Sequence, residues 1–240
     1  MDSFCDPETG VCAPRPLANN AASAKEMASD QEILYVGDPM CSWCWSIAPA
    51  LEALQDYAES RGLRFTVLVG GLRPGGGDAW TPQFKAFLRH HWEEISTRTG
   101  RPFSFGLLDH PHFNYDTEPP CRAVVTARAL LREANRPARD LLAVFASIQE
   151  KFFVANQDPT EPAFYESICQ RHNLDFAAFR QRFESPSIKD QTLAEFNLVR
   201  RMGVNGFPTV LFRDGQTLRE VAYGYAPGDE MIATVRELAG

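Results

Sequence analysis

The sequence predicts an α/β fold in which two segments with β-strands flank a long helical stretch. Three observations predict it. An apolar run near residue 35 ends in a turn that leads into a Cys-x-x-Cys pair, Cys41 and Cys44. Apolar residues then recur at helical spacing through 81–203, and an Asp-Gly dipeptide at 214–215 lies between two later apolar runs. The predicted element order is β-α-β, several helices, and then β-β-α.

The first strand, turn and helix place the cysteine pair. Residues 33–36 are β-branched, aromatic and apolar, Gly37-Asp38-Pro39 breaks this run, and 47–57 carries apolar residues at helical spacing. The pair is therefore expected at the start of a helix, where cysteines three apart can bridge and unpaired backbone N–H groups favour a thiolate. A second strand is predicted at 64–69.

Helical periodicity dominates the middle of the chain. Thr81-Pro82 is typical of a helix start, and Gly203 of a helix end. Apolar stripes such as Leu141, Phe145 and Ile148 are typical of a core. The further predicted helices are 118–134, 139–154, 160–172, 175–184 and 187–202. Strands return at 209–212 and 218–223, and a last helix is predicted at 230–238.

Composition narrows the function classes. The chain has 240 residues, 44% of them hydrophobic, which is enough for a full core. Its net charge is −7, and no Lys/Arg cluster is longer than Arg200-Arg201, which argues against a nucleic-acid partner or an anionic membrane surface. Residues 1–30 contain no apolar segment of a signal peptide or membrane span, so the cytoplasm is the expected location. Cysteines there are more often reduced, catalytic or metal-binding than structural disulfides.

The first thirty residues are expected to form a flexible arm that contains a second cysteine pair, Cys5 and Cys12. An Asp-Pro and a Gly between them could close a small loop. Two interpretations stay open: a disordered tail whose thiols do nothing, or an accessory redox pair.

Motifs at two distant places carry a family resemblance. Cys41-Ser-Trp-Cys44 opens the first helix and Gly206-Phe-Pro-Thr209 opens the hairpin, which together resemble a thioredoxin fold with a helical insertion, as in DsbA-like oxidoreductases. The runs 38–45 and 115–123 are most similar to a bacterial branch without signal peptides, the predicted disulfide isomerases related to FrnE.

The resemblance covers about residues 31–240 and implies a domain organisation. Residues 31–78 and 204–240 would form the thioredoxin domain, and 79–203 would form an inserted helical subdomain.

The resemblance also implies roles for individual residues. Cys41, expected to be exposed, would attack a substrate disulfide, and Cys44 would resolve the mixed disulfide. Pro208 would be cis beside the dithiol, so that Phe207 presents its backbone to an extended substrate. Trp43 and Phe207, with the neighbouring Met40 and Trp45, would form an apolar rim that binds substrate, although burial against the sheet is an equal expectation for Trp45.

One position departs from the family pattern. Thioredoxin-like enzymes often bury a carboxylate six residues before the first catalytic cysteine, and this position holds Tyr35. Asp38 is closer in sequence but lies in the turn, where helix capping is a more ordinary role than proton transfer.

A zinc site is the other use of a Cys-x-x-Cys pair. Cys5 and Cys12 are the available second pair, and their spacing is wider than usual, so no metal is expected. Cys121 and Cys169 are expected to be buried and inert, although the stretch that contains Cys121 could line the groove opposite Cys41.

The leading functional hypothesis is a thiol-disulfide oxidoreductase or disulfide isomerase that acts on protein or small-molecule thiols and disulfides. No bound cofactor is expected, although glutathione could be a redox partner. The alternative is a glutathione-dependent isomerase or transferase of the kappa-class type, in which Ser replaces Cys41. A metal-binding or chaperone-like module is a third class. The redox direction and the oligomeric state stay open.

Overall fold

A four-stranded sheet runs through the part of the chain that the structure describes. The structure is a computed structural model, and it describes residues 5–6, 11–12 and 31–240. The sheet contains β3 (Glu32–Gly37), β4 (Arg64–Val69), β5 (Thr209–Asp214) and β6 (Thr217–Tyr223), in the order β4-β3-β5-β6. Strand β3 is parallel to β4 and antiparallel to β5, and β5 and β6 form an antiparallel hairpin. Two short strands, β1 (Cys5–Asp6) and β2 (Val11–Cys12), pair separately.

Helices supply most of the remaining structure. Their bounds are α1 Ser42–Ser46, α2 Ala48–Ser60, α3 Pro82–Thr99, α4 Gly106–Asp109, α5 Glu118–Glu133, α6 Arg139–Phe153, a 3-10 helix Pro162–Tyr165, α7 Glu166–Arg171, α8 Phe176–Phe183, α9 Pro186–Arg201 and α10 Gly228–Ala239. None of the described helices combines the length and the hydropathy that crossing a bilayer requires.

The central strand β3 is buried along its whole length because helices cover both faces of the sheet. Its one charged residue, Glu32, accepts hydrogen bonds from Thr66 and Arg213, which compensate the burial of the carboxylate. Helices α5, α6 and α9 contact β4, whereas α10 packs on α2 and on the β5–β6 hairpin. Strand β6 forms an edge and is largely exposed.

Local capping explains several helix boundaries. The Thr81 hydroxyl accepts the Phe84 N–H, and Gly100 adopts a left-handed conformation with φ of 72° where α3 ends. The Asp175 carboxylate and the Ser185 hydroxyl cap α8 and α9 in the same way.

Most predicted elements are confirmed, with three differences. The predicted helix at 47–57 is preceded by a separate short helix, α1, that contains Cys44. Segment 160–172 divides into a 3-10 helix and α7 after Pro162 restricts its start. Segment 100–117 was expected to continue the helical pattern, yet apart from α4 it is irregular, because Gly100, Pro102 and Pro111 interrupt it. Most of the predicted flexible arm, 1–30, lies outside the described residues.

Candidate active site

Two free thiols lie at the point where β3 leads into α1. After Gly37 the chain turns, and the Cys41 N–H donates to the Asp38 carbonyl at 3.0 Å. Cys41 is the N-cap of α1, and its Sγ accepts the Cys44 N–H at 3.4 Å. The predicted position of the pair at a helix start is confirmed. The first sulfur therefore faces a backbone N–H, and the second lies one turn along the same helix.

The loop before β5 packs against the first cysteine. The Phe207–Pro208 bond is cis, as the family resemblance implied, and the Cys41 thiol points at the Phe207 carbonyl oxygen at 3.8 Å. The Pro208 carbonyl accepts the Gly224 N–H of the segment after β6 at 2.8 Å. The β5–β6 hairpin therefore holds this loop beside the dithiol.

Two expectations about the dithiol are wrong. Cys41 is not exposed, and no apolar rim lies open beside it. Cys41 and Phe207 have no exposed surface, and the Trp43 side chain is 1% exposed. Trp43 packs against His91 of α3 and Tyr225, with ring centroids 6.4 and 6.0 Å away. Helix α3 and Tyr225 thus cover Trp43, and the site is closed around a Cys41 that solvent does not reach.

Met40 and Trp45 are also buried. The surroundings of Trp45 match neither the expected open rim nor the expected burial against the sheet. The Trp45 ring stacks on Phe153 of α6, and its Nε1–H donates to the Pro102 carbonyl at 2.9 Å. The Arg101 guanidinium also lies over the Trp45 ring, 3.4 Å from its centroid. Trp45 therefore joins α1 to the helical segment and lies neither in an open rim nor against the sheet.

Burial also changes the expected acidity of Cys41. The loss of solvation raises the pKa of this thiol well above its usual value, and the neighbouring Cys44 and Asp38 act in the same direction. The Cys44 N–H opposes them, but α1 has only five residues and contributes little macrodipole. The closed site therefore disfavours the thiolate that was predicted at the helix start.

Asp38 connects three elements around the dithiol, a role that was not predicted. Its carboxylate accepts the Met40 N–H at 2.8 Å and the Leu72 N–H at 2.7 Å, and the Cys121 thiol donates to it at 3.3 Å. Burial raises the pKa of this carboxyl above its usual value, although the backbone hydrogen bonds oppose the rise. The expected helix cap is wrong, because Cys41 caps α1 and Asp38 instead joins the turn to α5 and to the loop after β4.

The 115–123 segment does lie beside the dithiol turn. The Tyr115 hydroxyl donates to the Met40 carbonyl at 2.7 Å, and Thr117 exchanges hydrogen bonds with the Arg73 backbone. Cys121 is fully buried, and burial raises its thiol pKa well above the usual value. Burial of Cys169, remote from this turn, raises its pKa to about 12. Both thiols are buried, as expected.

The N-terminal cysteines are paired in backbone register. Strand β1 runs antiparallel to β2, with Cys5 directly opposite Cys12. Directly opposed Cα atoms in such a ladder lie about 4.5–5.5 Å apart, which is within the range that a disulfide spans. In the described part of the chain, no three His, Cys, Asp or Glu side chains are grouped as a metal site would require.

We expect Gly70→Ala to disturb the proline loop. An added Cβ would lie 1.9 Å from the Phe207 ring, so the ring must shift, and we expect the loop that carries the Phe207 carbonyl to shift with it. Overpacking of this kind should lower the free energy of unfolding by about 1–3 kcal/mol and slow disulfide exchange. Chemical denaturation and an exchange assay measure both effects. Gly228→Ala is the matched control, because its added Cβ would meet neighbours at 3.3 Å or more; equal effects of the two variants would contradict this account.

Comparison with known proteins finds relatives with the same fold. The family of thioredoxin-like domains matches residues 132–239. The crystal structure of a candidate protein disulfide isomerase from Nitrosomonas europaea is 30% identical, with a TM-score of 0.75, and the match covers 87% of this chain and 97% of that one.

Two further proteins extend the comparison. The cytosolic disulfide reductase DsbM from Pseudomonas aeruginosa is 25% identical with a TM-score of 0.69, over 87% of this chain and 98% of that one. The same protein has also been solved with GSH, and that structure matches with a TM-score of 0.66. The ClpXP adapter protein SpxH of Shouchella clausii is 25% identical over 213 residues, 88% of this chain. The chain spans 66% of that curated relative, slightly less than two thirds of its length.

Proposed function

Because the chain belongs to the DsbA-like thioredoxin-fold family of thiol-disulfide oxidoreductases, we propose that its Cys41–Cys44 dithiol reduces disulfides of small thiols and proteins. The observation that carries the proposal is the geometry of two free thiols at a helix start. The first thiol points at the Phe207 carbonyl at 3.8 Å. Cys41 is the nucleophile, Cys44 resolves, and the loop at Phe207 and Pro208 aligns the substrate.

The reaction transfers two electrons from the dithiol to the substrate. The Cys41 thiolate attacks one sulfur of a substrate disulfide, a Cys41–substrate bond forms, and the other substrate sulfur leaves as a thiolate and is protonated. The Cys44 thiolate then attacks the Cys41 sulfur, forms the Cys41–Cys44 disulfide and releases the second substrate thiol. Two external thiols return the enzyme to the dithiol by the reverse exchanges.

The reductive direction is favoured by the electrostatics of the pair. An oxidising enzyme of this kind has a reduced form that is stabilised, commonly by a low-pKa thiolate. Here burial first, and then the neighbouring Cys44 and Asp38, raise the pKa of Cys41, so thiolate formation does not stabilise the reduced form. A dithiol without this stabilisation gives up its electrons more readily.

The comparisons support a small thiol as the partner. A disulfide reductase that is 26% identical to this chain has been solved with GSH, and the match covers 98% of that protein. Glutathione is therefore the first thiol to test as electron donor. The relative that is a ClpXP adapter supports protein partners as well.

Cys5 and Cys12 are proposed as an accessory pair. Their opposed backbone register is compatible with a disulfide, and dithiols in one chain can exchange electrons when the segment between them reaches far enough. Substituting both with serine should then remove a second redox transition while that of Cys41–Cys44 remains.

A redox titration against glutathione tests the proposed direction. We expect the two-electron transition of Cys41–Cys44 to have a midpoint of about −200 to −270 mV, the range of reductive enzymes, and to disappear in Cys41→Ser. The control is Cys169→Ser, which removes a remote thiol and should leave the midpoint unchanged. A midpoint near about −120 mV would identify an oxidant instead. Glutathione conjugation that survives Cys44→Ser, without any such transition, would favour the glutathione-transferase alternative.

A further inference from the structure

The short helix α1 carries two buried tryptophans, Trp43 and Trp45, whose indole N–H groups are in opposite situations. The Trp45 Nε1–H donates to the Pro102 carbonyl at 2.9 Å. The Trp43 Nε1–H finds no hydrogen-bond acceptor among the described residues, although Trp43 is only 1% exposed. A buried donor without an acceptor is costly, and in a native protein it calls for a functional explanation.

Trp43 lies at the dithiol itself. It is the residue before Cys44, and it belongs to one packed cluster with Cys41, Cys44 and Phe207 of the proline loop. Trp45 belongs to a separate cluster. The donor that lacks an acceptor is therefore at the place where a substrate disulfide must bind.

A cation lies over the same tryptophan ring. The Arg98 guanidinium, in the last turn of α3, is 5.2 Å from the centroid of the Trp43 ring, and Arg98 is exposed. A guanidinium presents several N–H donors in a plane that matches a carboxylate. Because Nε1 is part of the ring that Arg98 covers, one carboxylate can accept from the indole N–H and pair with the guanidinium. The chain has a net charge of −7, so a cation at the dithiol does not follow from a generally basic composition.

We propose that Trp43 and Arg98 are substrate-binding residues that select disulfides carrying a carboxylate. The Trp43 Nε1–H donates to one carboxylate oxygen, and the Arg98 guanidinium pairs with the same group. The inference rests on the proposed function and names its substrate class, small anionic disulfides such as glutathione disulfide. No bond is made or broken at either residue, since both hold the substrate while Cys41 attacks its sulfur.

Binding at this donor displaces part of the cover over Trp43. His91 and Tyr225 pack against the ring, with centroids 6.4 and 6.0 Å away, so the carboxylate takes the place of one of these contacts. The hydrogen bond gained is charge-assisted, and it satisfies a donor that the closed site leaves without an acceptor. A substrate with a carboxylate thus favours the open site more than a neutral substrate does.

Three disulfides of different charge test this selection at neutral pH. Glutathione disulfide is anionic, bis(2-hydroxyethyl) disulfide is neutral and cystamine is cationic. Acid-quenched time courses give the second-order rate constant with which each oxidises the reduced Cys41–Cys44 pair. The ratio of the constant for glutathione disulfide to that for the neutral disulfide measures the selection, because effects on folding or on thiol reactivity cancel in it.

Trp43→Phe keeps an aromatic ring and removes the indole N–H. We expect it to lower the ratio about tenfold, the size of one hydrogen bond to a charged group. The matched control is Trp45→Phe, which removes the same atoms from the same helix together with a hydrogen bond that is already formed. Trp45→Phe should lower the melting temperature more than Trp43→Phe does and leave the ratio at the parent value.

Arg98→Gln removes the charge. It should lower the ratio about threefold and raise the rate constant for cystamine relative to the neutral disulfide by a similar factor, as expected for an exposed ion pair. Arg89→Gln is the matched control, because Arg89 lies on the same helix over a different ring, that of Phe105, at 4.8 Å. Arg89→Gln should leave both ratios unchanged.

The outcomes separate the inference from the function on which it rests. A parent-like ratio in either Trp43→Phe or Arg98→Gln would overturn the inference and leave the proposed function in place. An equal fall of the ratio in Trp45→Phe would also overturn it, since the effect would then not belong to the Trp43 N–H. A reduced parent protein that none of the three disulfides oxidises would overturn the proposed function itself.

Discussion

Cys41→Ser is expected to abolish disulfide exchange, whereas Cys44→Ser should retain the first attack and stop at the mixed disulfide. Turnover of insulin or glutathione disulfide should fall about 100-fold or more in either variant, because the two sulfurs act as one unit. The physical reason is that a serine hydroxyl remains protonated and attacks disulfides poorly, while a dithiol without its second sulfur cannot release the substrate.

Cys169→Ser is the control for the Cys41→Ser and Cys44→Ser variants, since it removes a buried thiol that is remote from the dithiol turn. Its turnover should equal that of the parent. Full exchange by Cys41→Ser with loss in Cys44→Ser would reverse the two assigned roles.

Asp38→Ala is expected to have the largest effect on stability among the polar residues around the site. It leaves the buried Met40 and Leu72 N–H groups without their acceptor, and we expect a loss of about 3 kcal/mol or more in the free energy of unfolding. Chemical denaturation measures it. Asp116→Ala is the matched control, because the Asp116 carboxylate also accepts two backbone N–H hydrogen bonds, from Gly75 and Glu118. At this more exposed position water can replace the lost carboxylate.

The loss of unfolding free energy caused by Asp38→Ala should depend on pH and should be larger at low pH. Burial raises the pKa of Asp38 in the folded protein above its value in the unfolded chain. Its contribution to stability is therefore full below the unfolded pKa and decreases as pH rises through the folded one. The destabilisation by Asp38→Ala should be larger at pH 4 than at pH 7. An equal loss at both pH values would contradict the assigned shift.

The strands and the dithiol could be predicted because local patterns determine them. The apolar run of β3, the turn after Gly37 and the helical spacing that follows are all short-range signals, and they place Cys41 at a helix start. The cis bond before β5 was implied by the family resemblance, which rested on Pro208 together with the distant cysteine motif and on neither motif alone.

The closed state of the site could not be predicted, because burial depends on contacts between distant segments. Nothing near Trp43 in the sequence shows that His91 and Tyr225 will pack around it. The same is true of Gly70, whose missing side chain makes room for Phe207. Of the three groups that donate hydrogen bonds to Asp38, only the Met40 N–H is close in sequence. The sequence around Asp38 therefore predicted only a local role in capping the helix.

Tyr35 shows how a departure from a family pattern can be informative. The sequence indicated the absence of the usual carboxylate but gave no replacement for it. The structure shows the Tyr35 hydroxyl buried over Gly37 without a hydrogen-bond partner among the described residues, which a comparison of residue types alone would not have suggested.

The central claim, that Cys41 is the attacking thiol of a Cys41–Cys44 dithiol, is tested most directly by trapping. Cys44→Ser is incubated under native conditions with glutathione disulfide, and adducts are located by peptide mass mapping. The account predicts one glutathione on Cys41 and none at that position in the Cys41→Ser/Cys44→Ser double variant. An adduct on Cys121 or Cys169 without one on Cys41, or no adduct with the folded protein, would contradict it.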